Sequence, residues 1–285
     1  YFTWILDRSD PQALFLQSSI PEEAVRLARQ RAAQSKSHAF MTKEQSDFYN
    51  LLTYLIWDYT ERMVGRDVMA QLTEPDEGNP PAVELNGRKI SQDLANSVLE
   101  YDSVFQGLPT PEAIRTIIEL GGGYGRTAYA FLKLIPSVRY VMVDIPPALY
   151  IAERYITGQF HEKRVFPYRS FRNFSDVADE FNRAQIAFLM PDQLSLLPDR
   201  SADLFLAIDC LHEMRPEQIK RYYDTVDRLS DFFYQKCWKR TEIPYDNVTL
   251  TESDYPFLPN WHHLFSRDCR VQSTYFEALF KIDRS

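Results

Sequence analysis

The stretch "IIELGGGYGRTAYAFLKL", residues 117 to 134, ends an apolar run in an acid, Glu119, and follows it with glycines at 121, 122, 123 and 125. The chain has nine glycines, so this turn holds almost half of them. Glycine tolerates positive φ and lets a bound group approach the main chain closely. A glycine turn that leaves a strand and opens a helix offers its N–H groups to a ligand, as doubly wound folds do for nucleotide-like molecules. Other chemically capable side chains stand at the ends of apolar runs. Asp144 closes "VRYVMVD", Asp192 follows "QIAFLMP", and Asp209 closes "ADLFLAID". His212 and Glu213 come just after Asp209, and His262 and His263 stand nearer the C-terminus. Imidazole titrates close to neutral pH, so each histidine is a candidate to take a proton and release it.

The glycine spacing narrows the ligand. A dinucleotide fingerprint needs G-x-G-x-x-G, and counted from Gly121 and Gly123 the sixth position is Arg126. No Gly-Lys-Ser/Thr follows, so a P-loop is excluded as well. What fits is E-x-G-x-G-x-G, formed by Glu119, Gly121, Gly123 and Gly125. This resembles motif I of the class I S-adenosylmethionine-dependent methyltransferases.

The resemblance continues in order from about Pro111 to the end. It implies S-adenosyl-L-methionine as cofactor, with Asp144 on the ribose hydroxyls and Asp192 near the adenine amino group. "DLFLAIDCLHEM", carrying Asp209, is similar to motif IV of that family. "IDCLHEMRPEQIKRYY" is similar to the segment of small-molecule O-methyltransferases in which a histidine followed by an acid begins the helix after the fourth strand. The resemblance therefore implies His212 as general base, with Glu213, His262 and His263 as alternatives. The set "IIELGGGYGRTAY", "MPDQLSLLP", "LHEM" and "YFEALFKI" further resembles sugar O-methyltransferases of bacterial surface-glycan pathways. The implied activity is methyl transfer to a sugar hydroxyl. The alternatives are a phenolic or polyketide acceptor, or a catalytically silent cofactor-binding partner subunit.

The elements that must position these residues are read from periodicity. "PEEAVRLARQRAAQS", "KEQSDFYNLLTYLIWDYTERMVGRDVMAQL" and "SQDLANSVLEYDSVFQGL" have helical spacing, and Asn86-Gly87 marks a small hairpin between the second and third. Prolines at 109 and 111 mark a boundary. Strands and helices then alternate, which implies a parallel sheet covered on both faces. "HHLFSRD" and "YFEALFKI" read as an antiparallel pair, and the stretch before them as a proline-containing loop. The expected architecture is α/β: a Rossmann-like class I methyltransferase fold, with a mostly parallel seven-stranded sheet and a C-terminal antiparallel hairpin. Residues 1–110 are expected to form a mainly helical extension, and residues 111–285 the cofactor-binding methyltransferase domain. The loop aromatics Tyr245, Tyr255, Phe257 and Trp261 are candidates to pack on a sugar face near the methyl group.

Composition bounds the partners. A formal net charge of −8 argues against sequence-independent binding of nucleic acid. No apolar run approaches the ~20 residues of a membrane span. Cys210, Cys237 and Cys269 form no CxxC pair, so no structural zinc is expected, and an odd count fits a reducing cytoplasm. Asp144 and Asp209 make no evident metal cluster, so no metal is expected. The acceptor is expected to be a small molecule or glycan. An exposed apolar face on the N-terminal helices would imply a homodimer.

Overall fold

The computed structural model describes residues 21–243 and 248–283. They fall into two compact units, one taking the chain through Ser103 together with Arg270–Ser273, the other Val104–Cys269 and the chain from Thr274.

In the first unit, α1 spans Glu22–Gln34 and α2 spans Lys43–Val64. A capping box opens α2: the Gln45 N–H donates to the Thr42 hydroxyl and the Thr42 N–H to the Gln45 side chain. Gly65, at φ 93°, ends it, and the short α3, Arg66–Ala70, follows. β1 (Val83–Leu85) and β2 (Arg88–Ile90) form the expected hairpin. Asn86 and Gly87 both have positive φ, as a two-residue turn matched to strand twist requires. α4, Gln92–Gly107, begins here. Arg270 returns to this unit and donates to Asp102, at 2.6 Å, and to the Leu99 carbonyl.

The second unit is built on one sheet. Its strands are β3 (Thr116–Leu120), β4 (Arg139–Val143), β5 (Val165–Phe166), β6 (Ile186–Leu189), β7 (Leu204–Ile208), β8 (Phe232–Trp238), β11 (Trp261–Asp268) and β12 (Tyr275–Ile282). The order is β11-β12-β8-β7-β3-β4-β6-β5. Every pair from β8 to β5 is parallel, and β12 runs antiparallel to both β8 and β11. This is the α/β sheet with a C-terminal antiparallel hairpin that the sequence predicts, with eight strands rather than seven. The extra one is the two-residue edge strand β5.

The helices between strands are α5 (Arg126–Leu134), α6 (Pro146–Gln159), α7 (Ala178–Arg183) and α8 (Pro216–Leu229). The inner strands are buried along their length, which is why they read as continuous apolar runs. One face packs Phe205, Phe233 and Phe280 with Tyr223 of α8. From β3 the order runs outward in both directions, so a crevice opens beyond the carboxyl ends of β3 and β7, where such sheets bind ligands.

The stretch read as a loop before β11 contains a second hairpin, β9 (Arg240–Ile243) with β10 (Val248–Thr251). Ile243 and Leu250 point inward and are buried. Four residues per strand give too short an alternation to stand out in the sequence. Among the described residues no helix is long and apolar enough to cross a membrane.

Candidate active site

The glycine turn joins β3 to α5 at the crevice. Gly121, Gly123 and Gly125 have φ of 75°, 55° and 102°, all left-handed. Their surroundings differ. A Cβ on Gly121 would lie 2.4 Å from Cys210 Cβ, and one on Gly125 would lie 2.8 Å from Ile156 Cγ1. A Cβ on Gly122 would lie 2.9 Å from Met142 Cε and 3.0 Å from Glu119 Oε2. A Cβ on Gly123 would meet nothing within 4 Å. Gly121 and Gly125 are thus required, by the contacts beneath them and by their positive φ, Gly122 lies close against the ends of Met142 and Glu119, and the outer face at Gly123 is open.

Two carboxylates flank the turn, and Asp144 bonds to it directly. Glu119, 2% exposed at the end of β3, accepts from the Tyr140 hydroxyl at 3.0 Å. Asp144, just past β4, accepts from the Gly123 N–H at 2.7 Å through Oδ2 and from the Ile145 N–H at 2.7 Å through Oδ1. Each Asp144 oxygen spends one lone pair on the main chain and keeps another for a ligand. Asp192 lies past the carboxyl end of β6, exposed, in the six-residue 3₁₀ helix Pro191–Leu196.

Asp209 follows β7 with φ 59°, a left-handed conformation that Asp tolerates better than most side chains. The turn brings His212 back toward it, and His212 Nε2 stands 3.5 Å from Asp209 Oδ1. His212 is 5% exposed, packed between the rings of Trp238 and Tyr275. Its Nδ1 is buried with no hydrogen-bond partner. Burial holds the imidazole pKa below its usual value, and the Asp209 carboxylate opposes that only in part. The ring is neutral at pH 7, and a proton on Nε2, facing Asp209, leaves Nδ1 as an acceptor. Burial also raises the Glu213 carboxyl above its ordinary value, with Asp209 and Asp144 adding to the rise. His212 and Glu213 line a cavity of about 600 Å³ with Trp238, Arg240, Thr241, Glu242 and Ile243.

The sheet register separates the other two histidines from this edge. His262 pairs with Lys281, which pairs with Phe232, the first residue of β8. Trp238, the last residue of β8, is the one near His212. Six strand steps of about 3.3 Å put roughly 20 Å between the two ends. His262 is exposed and bonds Asp283 at 2.6 Å. His263 packs on Phe280 and Phe257. The loop aromatics Tyr255, Phe257 and Trp261 join the core stack around Tyr223, Phe276 and Phe280 and present no free sugar platform. Tyr245 lies outside the described residues.

Three contributors were not singled out from sequence. Cys210 packs under Gly121, and its Sγ donates to the Leu120 carbonyl at 3.2 Å. Tyr140 holds Glu119, and Trp238 walls His212. Cys210 was the most findable, because it directly follows Asp209 and β7 lies beside β3 in register. Among the described residues no group of three or more His, Cys, Asp or Glu side chains could hold a metal ion.

No protein-family model matches this chain, and no curated protein matches it. Solved structures do. The mitomycin 7-O-methyltransferase MmcR aligns with 98% of this chain and 74% of its own at 14% identity and a TM-score of 0.44. An S-adenosylmethionine-dependent methyltransferase from Clostridium acetobutylicum aligns over 68% and 92% at 12% identity, TM-score 0.45. PigF, solved with SAH, aligns over 66% and 58% at 12% identity, TM-score 0.42.

Proposed function

We propose that this chain is an S-adenosylmethionine-dependent O-methyltransferase whose acceptor is a sugar hydroxyl. The observation that carries the reading is the glycine turn itself. It is packed tight from below at Gly121, Gly122 and Gly125 and open above Gly123, with the Asp144 carboxylate fixed beside the opening.

The residues fit the cofactor. Asp144 has two lone pairs left for the vicinal ribose hydroxyls, and its plane is set by two main-chain N–H groups. The space over Gly123 admits a close main-chain approach, and Asp192 lies past the next strand for the adenine amino group. Asp209 and Glu213 add negative charge at this edge, which favours a cationic donor. When bound, S-adenosylmethionine supplies a methyl carbon whose bond to sulfur breaks with the electron pair left on sulfur.

His212 takes the acceptor's proton. A sugar hydroxyl is a weak nucleophile, and its proton must leave as the new bond forms. Nδ1 is the free nitrogen, and the resulting imidazolium sits 3.5 Å from Asp209, which stabilises it. The proton then passes to solvent. Holding donor and acceptor in line supplies the larger share of the rate. The cavity beside His212 combines one indole with Glu213, Arg240, Thr241 and Glu242, a lining that suits a polyhydroxylated ring better than a flat phenol. A reducing cytoplasm suits the three buried free cysteines.

The test is a methyl-transfer screen with isotope-labelled donor against nucleotide sugars, glycosides and glycan acceptors, preceded by calorimetry of donor binding. Donor binding with an ether product on a sugar is the expected result. A chain that does not bind the donor, or that methylates only nitrogen, overturns the reading.

A further inference from the structure

Two buried nitrogens in the second unit lack a hydrogen-bond partner at one place, His212 Nδ1 and Trp238 Nε1. Their rings are neighbours, with centroids 5.6 Å apart and planes 37° apart. Both residues line the same cavity of about 600 Å³. Native structures rarely leave buried polar atoms unpaired, and those that persist call for a ligand, a water or a catalytic role. The two are chemically unlike. The indole N–H only donates, and the Nδ1 of a neutral imidazole protonated at Nε2 only accepts.

We propose that one acceptor hydroxyl takes both nitrogens at once, donating to His212 Nδ1 and accepting from Trp238 Nε1–H, and that this pairing selects oxygen over nitrogen nucleophiles. The selection rests on the reading of His212 as the base. Two hydrogen bonds of about 2.9 Å meeting at one oxygen near the tetrahedral angle call for nitrogens about 4.7 Å apart, a spacing within reach of two rings whose centroids are 5.6 Å apart. Both nitrogens are closed to solvent here, so the shared hydroxyl requires both rings to turn toward the cavity that they line.

The selection follows from counting lone pairs. A hydroxyl oxygen has two. One accepts the indole N–H, the O–H proton goes to Nδ1, and the second lone pair forms the bond to the methyl carbon. An amine nitrogen has one lone pair. If that pair accepts the indole N–H, none is left to attack. Trp238 is therefore a binding residue that reads the chemical type of the nucleophile.

The experiment uses the full chain with isotope-labelled tryptophan indoles and ethylene glycol as the hydroxyl probe, followed by nuclear magnetic resonance. The Trp238 signal is assigned by its loss in Trp238→Phe, or in Trp238→Tyr should the first variant not fold. The expected result is a saturable shift of that indole signal with glycol. In His212→Phe, which has no acceptor, the apparent glycol affinity should weaken about tenfold, the loss of one hydrogen bond. A signal unmoved at molar glycol, or glycol affinity unchanged in His212→Phe, overturns the shared hydroxyl. The base assignment is read separately from turnover: normal kcat in His212→Gln removes His212 as the base, whatever the glycol titration shows.

Discussion

Cys210 fills the space that a side chain on Gly121 would need. A Cβ at position 121 would lie 2.4 Å from Cys210 Cβ and 2.9 Å from its Sγ. The thiol also donates to the Leu120 carbonyl, so the residue after Asp209 holds down the start of the glycine turn. The two loops at the carboxyl ends of β3 and β7 are thereby locked together, one carrying the open face at Gly123 and the other carrying His212.

That contact is testable. Gly121→Ala should lower the melting temperature, through the clash and through φ 75°, which costs a non-glycine residue about 1–2 kcal/mol. Cys210→Gly in the same chain removes the clash and should restore part of the loss. Calorimetric melts of the two single variants and the double variant measure the coupling. Strictly additive losses would mean that the two residues do not meet.

Gly123→Val should behave differently. Nothing lies within 4 Å of the added Cβ, so the fold should survive apart from the strain of φ 55°. Donor binding should be lost, because the isopropyl group fills the space over the turn. Equal donor affinity in parent and variant, by titration calorimetry, would sink the cofactor site.

Asp144→Ala should weaken donor binding by roughly 1.5–3 kcal/mol, the range for hydrogen bonds to a charged group. A donor analogue lacking the ribose hydroxyls should lose affinity on the parent but little further on the Asp144→Ala variant. Full additivity of the two losses would remove Asp144 from the ribose.

His212→Gln should lower kcat by ~10²–10⁴ with donor affinity nearly unchanged. Because burial depresses the imidazole pKa, the acidic limb of the parent's rate profile should have its midpoint below 6.5. The limb should vanish in the variant. A near-normal kcat with the limb intact would show that His212 only packs against Trp238.

The same shift has a stability consequence. The unfolded histidine takes up a proton near its ordinary 6.5, and the folded one only at lower pH. Between those values the unfolded state binds more protons, so stability rises with pH there. This contribution is complete above 6.5 and falls as the pH drops toward the folded value. His212→Gln should flatten that part of the curve in denaturant melts, and an unchanged slope would contradict the assignment.

Much of this molecule was legible in one dimension because its signals are local. Apolar runs of four to seven residues between helical periods identify buried parallel strands, and each falls where the sequence places it. The glycines at 121, 123 and 125 predict left-handed backbone, and all three adopt it. Asn86-Gly87 predicts a turn with two positive φ angles, and that turn is present. Weak alternation hid the β9–β10 hairpin, since neither strand is long enough for the period to stand out.

What the sequence by itself determined is therefore the elements, their order and the chemical types waiting at their ends. These depend on steric preferences and side-chain periods that act within a few residues. The tertiary structure alone decided which of those types meet. It set Asp209 3.5 Å from His212, Trp238 against the same ring, and Cys210 beneath Gly121. It also carried His262 and His263 to the other end of the sheet. Three histidines look alike as letters. β12 runs antiparallel to both β8 and β11, so β11 enters the sheet at the same end as β8, and the histidines near its start line up with the first residues of β8 rather than its last. Strand register is a property of the paired chains, which no local stretch encodes.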